Sequence, residues 1–188
     1  DGVTNIQGFR ECSNLVEIDL PNTALSIGSF SSCRSLKSLT IPEGATTIVD
    51  EALDGCSAME SIYIPSSVIA IGDEAFRDCT GVLTINCNIP NSSYYQSDNR
   101  DSYPIFWKSK LSKVIVGEDV TYIGNTAFSY CSELNGIYIK AATPPTLGST
   151  TFIENGADFR IYVPYESLEL YTSADGWESH SDIIVGYD

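Results

Sequence analysis

Residues 53–76 read LDGCSAMESIYIPSSVIAIGDEAF, and this stretch is one full unit of an internal repeat. Within it, Cys56 lies three residues after Leu53 and three residues before Met59. Five cysteines hold this slot, and the first four are 21, 23 and 23 residues apart: Cys12, Cys33, Cys56, Cys79 and Cys131. Because several positions around each cysteine stay in register over this distance, the spacing predicts a repeat architecture.

Each unit carries apolar residues at fixed distances after its cysteine, and the last two are separated by one residue. The sets are Leu15/Ile18/Leu20, Leu36/Leu39/Ile41, Met59/Ile62/Ile64, Val82/Ile85/Cys87 and Leu134/Ile137/Ile139. This alternation predicts a short strand with one buried face, which a single unit cannot cover alone. Stacked units therefore predict a parallel sheet, with strands near 15–20, 36–41, 59–64, 82–87, 111–116, 134–139 and 159–163.

The second half of three units contains an Ile-Gly pair, at Ile27-Gly28, Ile71-Gly72 and Ile123-Gly124, and a large residue follows at the start of the next unit. We interpret this half as the return path, in which Ile points inward, Gly permits a tight turn and the next large residue fills the gap between coils. These large residues stand at positions 9, 30, 53, 76, 106, 128 and 152. Their steps predict six coils over 9–152, an insertion at 88–110 and a C-terminal cap at 153–188 with a short helix near 165–172, all in a single domain of residues 1–188.

The unit F-x-x-C-x-x-L-x-x-I-x-I-P-x-x-V-x-x-I-G-x-x-A-F resembles the BspA-like (Treponema-type) leucine-rich repeat of bacterial surface proteins. The resemblance covers nearly all of residues 9–152, and the tail 161–167 with Tyr171 and Trp177 is similar to the cap of such arrays in gut Bacteroidetes proteins. It implies a leucine-rich repeat solenoid of the α/β class, a right-handed superhelix of short parallel strands with irregular or short helical return segments. It also implies a secreted or surface-anchored bacterial protein that adheres to host or bacterial proteins.

Composition excludes some partners. The chain has 25 acidic and 10 basic residues, a net charge of −15, which argues against nucleic acid or an anionic membrane surface as the partner. No apolar run approaches the roughly 20 residues that span a bilayer, so no transmembrane segment is expected. The chain begins at Asp1 without a signal peptide, and we interpret it as processed or trimmed, with signal and anchor outside this sequence.

The cysteines are interpreted as a buried ladder of thiols. Parallel side chains one coil apart keep their Cβ atoms about 5 Å apart, beyond the usual 3.5–4.5 Å of a disulfide. The sixth cysteine, Cys87, takes an inward strand position, so six reduced and buried thiols are expected. A zinc site is not expected, because no C-x-x-C pair exists and the only histidine, His180, lies in the cap.

No catalytic motif is found, so we expect neither enzyme activity nor a cofactor or metal. Paired carboxylates recur at one repeat slot, as Asp50-Glu51 and Asp73-Glu74. They admit an acid/base or calcium-binding interpretation, but repetition on one rim favours a solvated turn.

Binding is the more promising function. Outward strand positions form two columns on the predicted concave face: Glu17, Ser38, Ser61, Thr84, Lys113, Gly136 and Arg160 in the first, and Asp19, Thr40, Tyr63, Asn86, Ile115, Tyr138 and Tyr162 in the second. Aromatic residues, Ile and Arg are typical of binding hot spots, which selects Tyr63, Lys113, Ile115, Tyr138, Arg160 and Tyr162 as candidates. The alternative is that Tyr, Ile and Thr simply favour strands.

The insertion is a second candidate surface. Its aromatic residues are Tyr94, Tyr95, Tyr103 and Trp107, with Phe106 read as the ordinary large residue of its coil. Tyrosines among Ser and Asn are typical of adaptable recognition loops, whereas a locally packed bulge is the alternative. The sequence thus predicts a protein-interaction module, with carbohydrate binding by exposed Tyr and Trp as the alternative.

Overall fold

The structure, a computed structural model, describes residues 2–92 and 103–188. Its strands are β1 (Asn5–Ile6), β2 (Ser26–Ile27), β3 (Ser38–Thr40), β4 (Thr47–Ile48), β5 (Ser61–Ile64), β6 (Ala70–Ile71), β7 (Thr80–Ile85), β8 (Lys110–Val116), β9 (Tyr122–Ile123), β10 (Gly136–Ile139), β11 (Thr146–Leu147), β12 (Arg160–Pro164) and β13 (Ile184–Tyr187). The main sheet has the order β13-β12-β10-β8-β7-β5-β3, with every pair parallel. The chain is therefore a solenoid of stacked coils, as predicted.

Six of the seven predicted strands are found, and the prediction of a strand at 15–20 is wrong. Within the described residues, that segment belongs to the first coil and has a neighbouring coil on one side. One backbone hydrogen bond, from Lys37 N to Val16 O at 3.0 Å, joins it to the second coil in the part of the chain described. A strand in a parallel sheet needs a continuous ladder, which this single bond does not supply.

Strand β7 lies two residues out of the predicted register. Tyr63 pairs with Thr84 and Ser61 pairs with Val82, so Leu83 and Ile85 are the buried residues of this strand. Of the predicted inward set, Ile85 is confirmed as a buried strand residue, whereas Val82 lies on the outward column of Ser61. Thr84 takes the second-column place predicted for Asn86, so both column assignments are wrong. At the start of this strand, Gly81 has a φ of +86°, and a Cβ there would lie 2.5 Å from Glu60 O and from Met59 O, so only glycine fits this position.

The return path contains short strands, which the sequence analysis did not predict. Strands β1, β2, β4 and β6 form a second parallel sheet, and β9 pairs with β11. Where a glycine follows the return isoleucine, at Gly28, Gly72 and Gly124, it allows close approach of coils and does not make a turn of positive φ. A Cβ on Gly72 would lie 2.3 Å from Asp50 N, and one on Gly124 would lie 2.2 Å from Pro90 O.

A stack of phenylalanine rings runs through the core. Phe106 lies 4.9 Å from Phe128 and 5.2 Å from Phe76, measured between ring centroids, and it is fully buried. Phe106 is therefore the ordinary large residue of its coil. Ile89, inside the predicted insertion, bridges to Ile123 and continues the return path. Much of the predicted insertion thus follows the repeat, while residues 93–102 lie outside the described residues.

Thiols connect successive coils through backbone carbonyls. The Sγ atoms donate to the carbonyl of the large residue one coil earlier: Cys33 to Phe9 at 3.0 Å, Cys56 to Phe30 at 3.1 Å, Cys79 to Leu53 at 3.1 Å and Cys131 to Phe106 at 3.2 Å. Ser109, which the sequence analysis missed, holds the same slot and is buried. This pairing satisfies carbonyls between coils that the sheets do not reach.

Cysteine burial is not uniform. All six thiols are free in the structure, and five are buried, but Cys12 is exposed, so the prediction of a buried Cys12 is wrong. It belongs to the first coil, which has no coil in front of it in the described part of the chain. Cys87 is buried just after the end of β7 and does not take the inward strand position predicted for it.

The cap closes the C-terminal end of the core. The predicted helix corresponds to a 3₁₀ helix at Tyr165–Ser167 followed by α1 (Leu168–Ser173). Two buried aromatic residues anchor it: Tyr171 donates its hydroxyl to Ala141 O, and Trp177 donates its indole N–H to Pro145 O, both at 2.8 Å. Strand β13, which was not predicted, adds the last strand to the main sheet.

Candidate binding surface on the main sheet

The outward residues of the main sheet form columns set by strand register. The strands are parallel, and beyond the register shift at Gly81/Val82 between β7 and β8, the column through β3 to β13 reads Thr40, Tyr63, Thr84, Ile115, Tyr138, Tyr162 and Val185. This column brings three of the predicted candidates onto adjacent strands, namely Ile115, Tyr138 and Tyr162. Tyr63 shares the column but is separated from Ile115 by the strand β7.

These residues form a cluster that we call the tyrosine patch, comprising Lys113, Ile115, Tyr138, Tyr162, Val185 and Tyr187. The Tyr138 and Tyr162 rings stack with centroids 4.4 Å apart and planes 11° apart. Lys113 Nζ lies 3.7 Å from the centroid of the Tyr138 ring, within cation–π range. Tyr187 packs edge-on to Tyr138 at 5.8 Å. Four strands therefore hold the patch in one arrangement.

The stack determines which parts of the Tyr138 ring are covered. Lys113 is on β8 and Tyr162 is on β12, so they lie on opposite sides of Tyr138, which is on β10. Both faces of the Tyr138 ring are thus covered. The patch consequently offers ring edges, phenol hydroxyls and an ammonium group.

Gly136 makes room for this arrangement. A Cβ at Gly136 would lie 2.7 Å from Cε2 of the Tyr162 ring, which is closer than real Cβ contacts. The Tyr162 ring therefore lies over the glycine on the neighbouring strand. In the first outward column, the absence of a side chain at this position is what allows the ring to lean toward Tyr138.

Two predicted candidates stand apart from the patch. The Tyr63 hydroxyl donates to Glu43 Oε1 at 3.3 Å and accepts from Asn86 Nδ2 at 3.1 Å. Arg160 turns its guanidinium toward the backbone, with Nη1 donating to Phe159 O at 2.7 Å. Both remain on the outer face, and within the described residues no hydrogen bond or cation–π contact joins them to the stacked rings.

The sequence analysis missed Val185 and Tyr187. Their signal is the alternation in IVGY at residues 184–187, where the buried Ile184 is followed by outward residues at 185 and 187. The sequence analysis assigns residues 153–188 to a cap with a short helix near 165–172 and predicts no strand at 184–187.

Among the insertion candidates, Tyr103 and Trp107 stack with ring centroids 4.0 Å apart, and Lys108 Nζ lies 4.2 Å from the Trp107 ring centroid. Trp107 is half-buried. Tyr94 and Tyr95 lie outside the described residues. The described part of the insertion thus forms a small aromatic and basic cluster of its own.

The paired carboxylates act between coils. Asp50 Oδ1 accepts from Asp73 N at 3.0 Å, which places the carboxylate on the backbone of the next coil. Arg77 binds Asp54 with two hydrogen bonds of 2.8 Å and also pairs with Glu74. Burial raises the pKa of Glu74 and the Arg77 charge opposes that rise, while hydrogen bonding to Asp54 raises the pKa of Arg77. This geometry is that of an inter-coil ion cluster.

Within residues 2–92 and 103–188, no group of three or more His, Cys, Asp or Glu side chains is placed to hold a metal ion. In the same residues, no helix has the length and apolar character to cross a bilayer.

Stacked coils of short parallel strands, with buried cysteines linking each coil to the one before, define the leucine-rich repeat class of solenoid. The model of the BspA type leucine rich repeat region matches residues 4–135 and 86–156, with six copies. The chain therefore belongs to the BspA-type leucine-rich repeat family. This family indicates a protein-interaction module, is typically non-enzymatic and is typically associated with bacterial surfaces.

A search of curated proteins found no match. Among solved structures, the chain is similar to a leucine-rich repeat protein from Bacteroides ovatus, with 24% sequence identity and a TM-score of 0.40. The similarity covers 86% of this chain and 53% of that one, so this chain spans about half the length of that protein.

Proposed function

We propose that this chain is a non-catalytic extracellular or cell-surface adhesion module that binds a protein partner through the tyrosine patch. The observation that carries the proposal is the stack of Lys113, Tyr138 and Tyr162, held in fixed positions by three adjacent strands. Preorganised aromatic residues are favoured in binding hot spots, because little side-chain entropy remains to be lost on association.

The covered ring faces favour a protein partner over a glycan. Sugar rings bind aromatic side chains by stacking on an open face, and both faces of Tyr138 are already in contact with Tyr162 and Lys113. Ring edges and hydroxyl groups instead suit the mixed apolar and hydrogen-bonding contacts of a protein interface. A reproducible hit for the wild-type chain on a glycan array would contradict this choice.

A capture experiment tests the proposal. Immobilised chain is exposed to extracts of host matrix and of bacterial surfaces, and bound proteins are quantified for wild type and for a Tyr138→Ser, Tyr162→Ser double variant. We expect the double variant to lose the bound partner, because it removes the stacked pair. Tyr165→Ser is the matched control, since Tyr165 is 66% exposed and lies outside the patch.

Gly136→Ala tests the arrangement of the rings without removing either one. Its methyl group would collide with the Tyr162 ring at 2.7 Å and move that ring from the stack. We expect weaker capture and little change in unfolding, because the half-buried Tyr162 ring can rotate away on the outer face. Undiminished capture by a folded double variant would refute the assignment of the patch.

A further inference from the structure

The charge on the main sheet is opposite in sign to the charge of the chain. Its seven strands contain three charged residues, and all three are cations: Lys110, Lys113 and Arg160. The whole chain has 25 acidic and 10 basic residues, so a purely cationic sheet is a strong departure from its composition.

These cations differ in whether the chain itself neutralises them. Lys110 Nζ pairs with Asp78 Oδ1 at 2.9 Å. Lys113 and Arg160 have no ion-pair partner among residues 2–92 and 103–188. Lys113 is also the cation held over the Tyr138 ring, so its ammonium group is positioned within the patch.

Exposed carboxylates surround this cationic strip. Glu118 and Asp119 follow strand β8, Asp158 precedes β12, and Asp188 follows β13. Residues 165–188 contain six acidic residues and neither Lys nor Arg. A long polyanion that extended beyond the patch would meet this acidic rim, whereas one or two carboxylates could bind without reaching it.

From this arrangement we infer that the tyrosine patch recognises a peptide segment of its protein partner in which Asp or Glu side chains stand beside apolar residues. Lys113 binds the carboxylate, the phenol hydroxyls of Tyr138 and Tyr162 add hydrogen bonds, and Ile115 and Val185 contact the apolar side chains. This inference rests on the proposed function and specifies the chemistry of the partner.

Selection from a random peptide library on the wild-type chain tests it without presupposing a sequence. We expect the enriched peptides to contain Asp or Glu next to apolar residues. The best peptide is then synthesised together with an analogue in which Asn replaces each Asp and Gln replaces each Glu. Binding of both peptides is measured by fluorescence polarisation. Loss of the carboxylates should weaken binding by at least about tenfold, since a charge-assisted hydrogen bond is lost.

Lys113→Gln and Lys110→Gln form a matched pair of variants on one strand. Lys113→Gln should weaken binding of the selected peptide by at least about tenfold, whereas Lys110→Gln should change it little because Lys110 already has a partner. The inference is overturned if selection yields no binder or only neutral or basic peptides, if the amide analogue binds equally well, or if Lys113→Gln leaves binding unchanged.

The outcome can be separated from that of the proposed function. If the tyrosine double variant loses the captured partner but Lys113→Gln does not, the patch still binds a protein and only the acidic chemistry of its partner is refuted. If the tyrosine double variant keeps the captured partner, the proposed function itself is refuted, and the inference about the acidic peptide is refuted with it.

Discussion

The buried thiols predict a loss of stability in mild alkali. Burial raises the pKa of Cys56 and of Cys131 from 9.0 to about 12, and raises that of Cys87 to about 11. It also raises the pKa values of Cys33 and Cys79. The folded chain thus retains thiol protons that the unfolded chain releases, so the stability is fully present below about pH 9 and is lost as pH rises toward the folded pKa values.

The magnitude follows from the linkage between pKa and the free energy of unfolding. At pH 10, a thiol whose pKa is 9.0 unfolded and about 12 folded costs about 1.4 kcal/mol of stability. The same calculation for Cys87 also gives about 1.4 kcal/mol. Three thiols therefore cost about 4 kcal/mol between pH 8 and pH 10, a large part of the 5–15 kcal/mol that is ordinary for a folded domain.

The assay is urea unfolding at a series of pH values from about 8 to 10, with reductant present throughout. Between pH 8 and pH 10, the free energy of unfolding of a Cys56→Ser, Cys131→Ser double variant should fall by about 3 kcal/mol less than that of wild type. Serine is a suitable replacement because Ser109 already occupies the same slot. Cys12→Ser is the control for replacing a thiol by a hydroxyl as such, since Cys12 is exposed and lies outside the buried ladder.

The comparison between variants isolates the thiols from other titrating groups, which are common to all three proteins. Equal losses of stability in wild type and in the double variant would show that the ladder thiols do not titrate differently in the folded and unfolded chains. That result would refute the reasoning from burial.

Three further predictions follow from the packing. In native buffer one thiol, that of Cys12, should react with a thiol reagent, and all six should react in denaturant without reductant. Gly124→Ala should destabilise the chain by about 1–3 kcal/mol in urea melts, because its Cβ would lie 2.2 Å from Pro90 O; Gly44→Ala, whose nearest neighbour is at 3.4 Å, should be nearly neutral. Phe106→Ala should cost about 3–5 kcal/mol, and a cost below 1 kcal/mol would contradict its place in the ring stack.

Much of the solenoid was predictable because its signals are local and repeated. The large residue, the cysteine and the alternating apolar positions recur at fixed spacing, so the main strands, the order of the coils and the core position of Phe106 followed from the pattern. The errors occurred where the pattern is interrupted by contacts between coils. Strand β7 lies two residues out of the predicted register, and at its start Gly81 approaches the carbonyls of Met59 and Glu60 too closely for a Cβ.

The candidate site was predictable in part. Alternation identified Lys113, Tyr138 and Tyr162 as outward residues, since side-chain direction in a strand depends on position alone. It did not identify the stack, because the approach of Tyr162 to Tyr138 depends on the missing side chain at Gly136 on the adjacent strand.

The sequence by itself determined that this protein is a repeat solenoid, because the periodic placement of apolar residues fixes which side chains face inward in every coil. Only the tertiary structure decided the register of β7, the exposure of Cys12, the hydrogen bonds from thiols to carbonyls of the preceding coil, and the covered faces of Tyr138. These features depend on distances between residues of different coils, which lie about 20 or more positions apart in the chain and meet only when the coils stack.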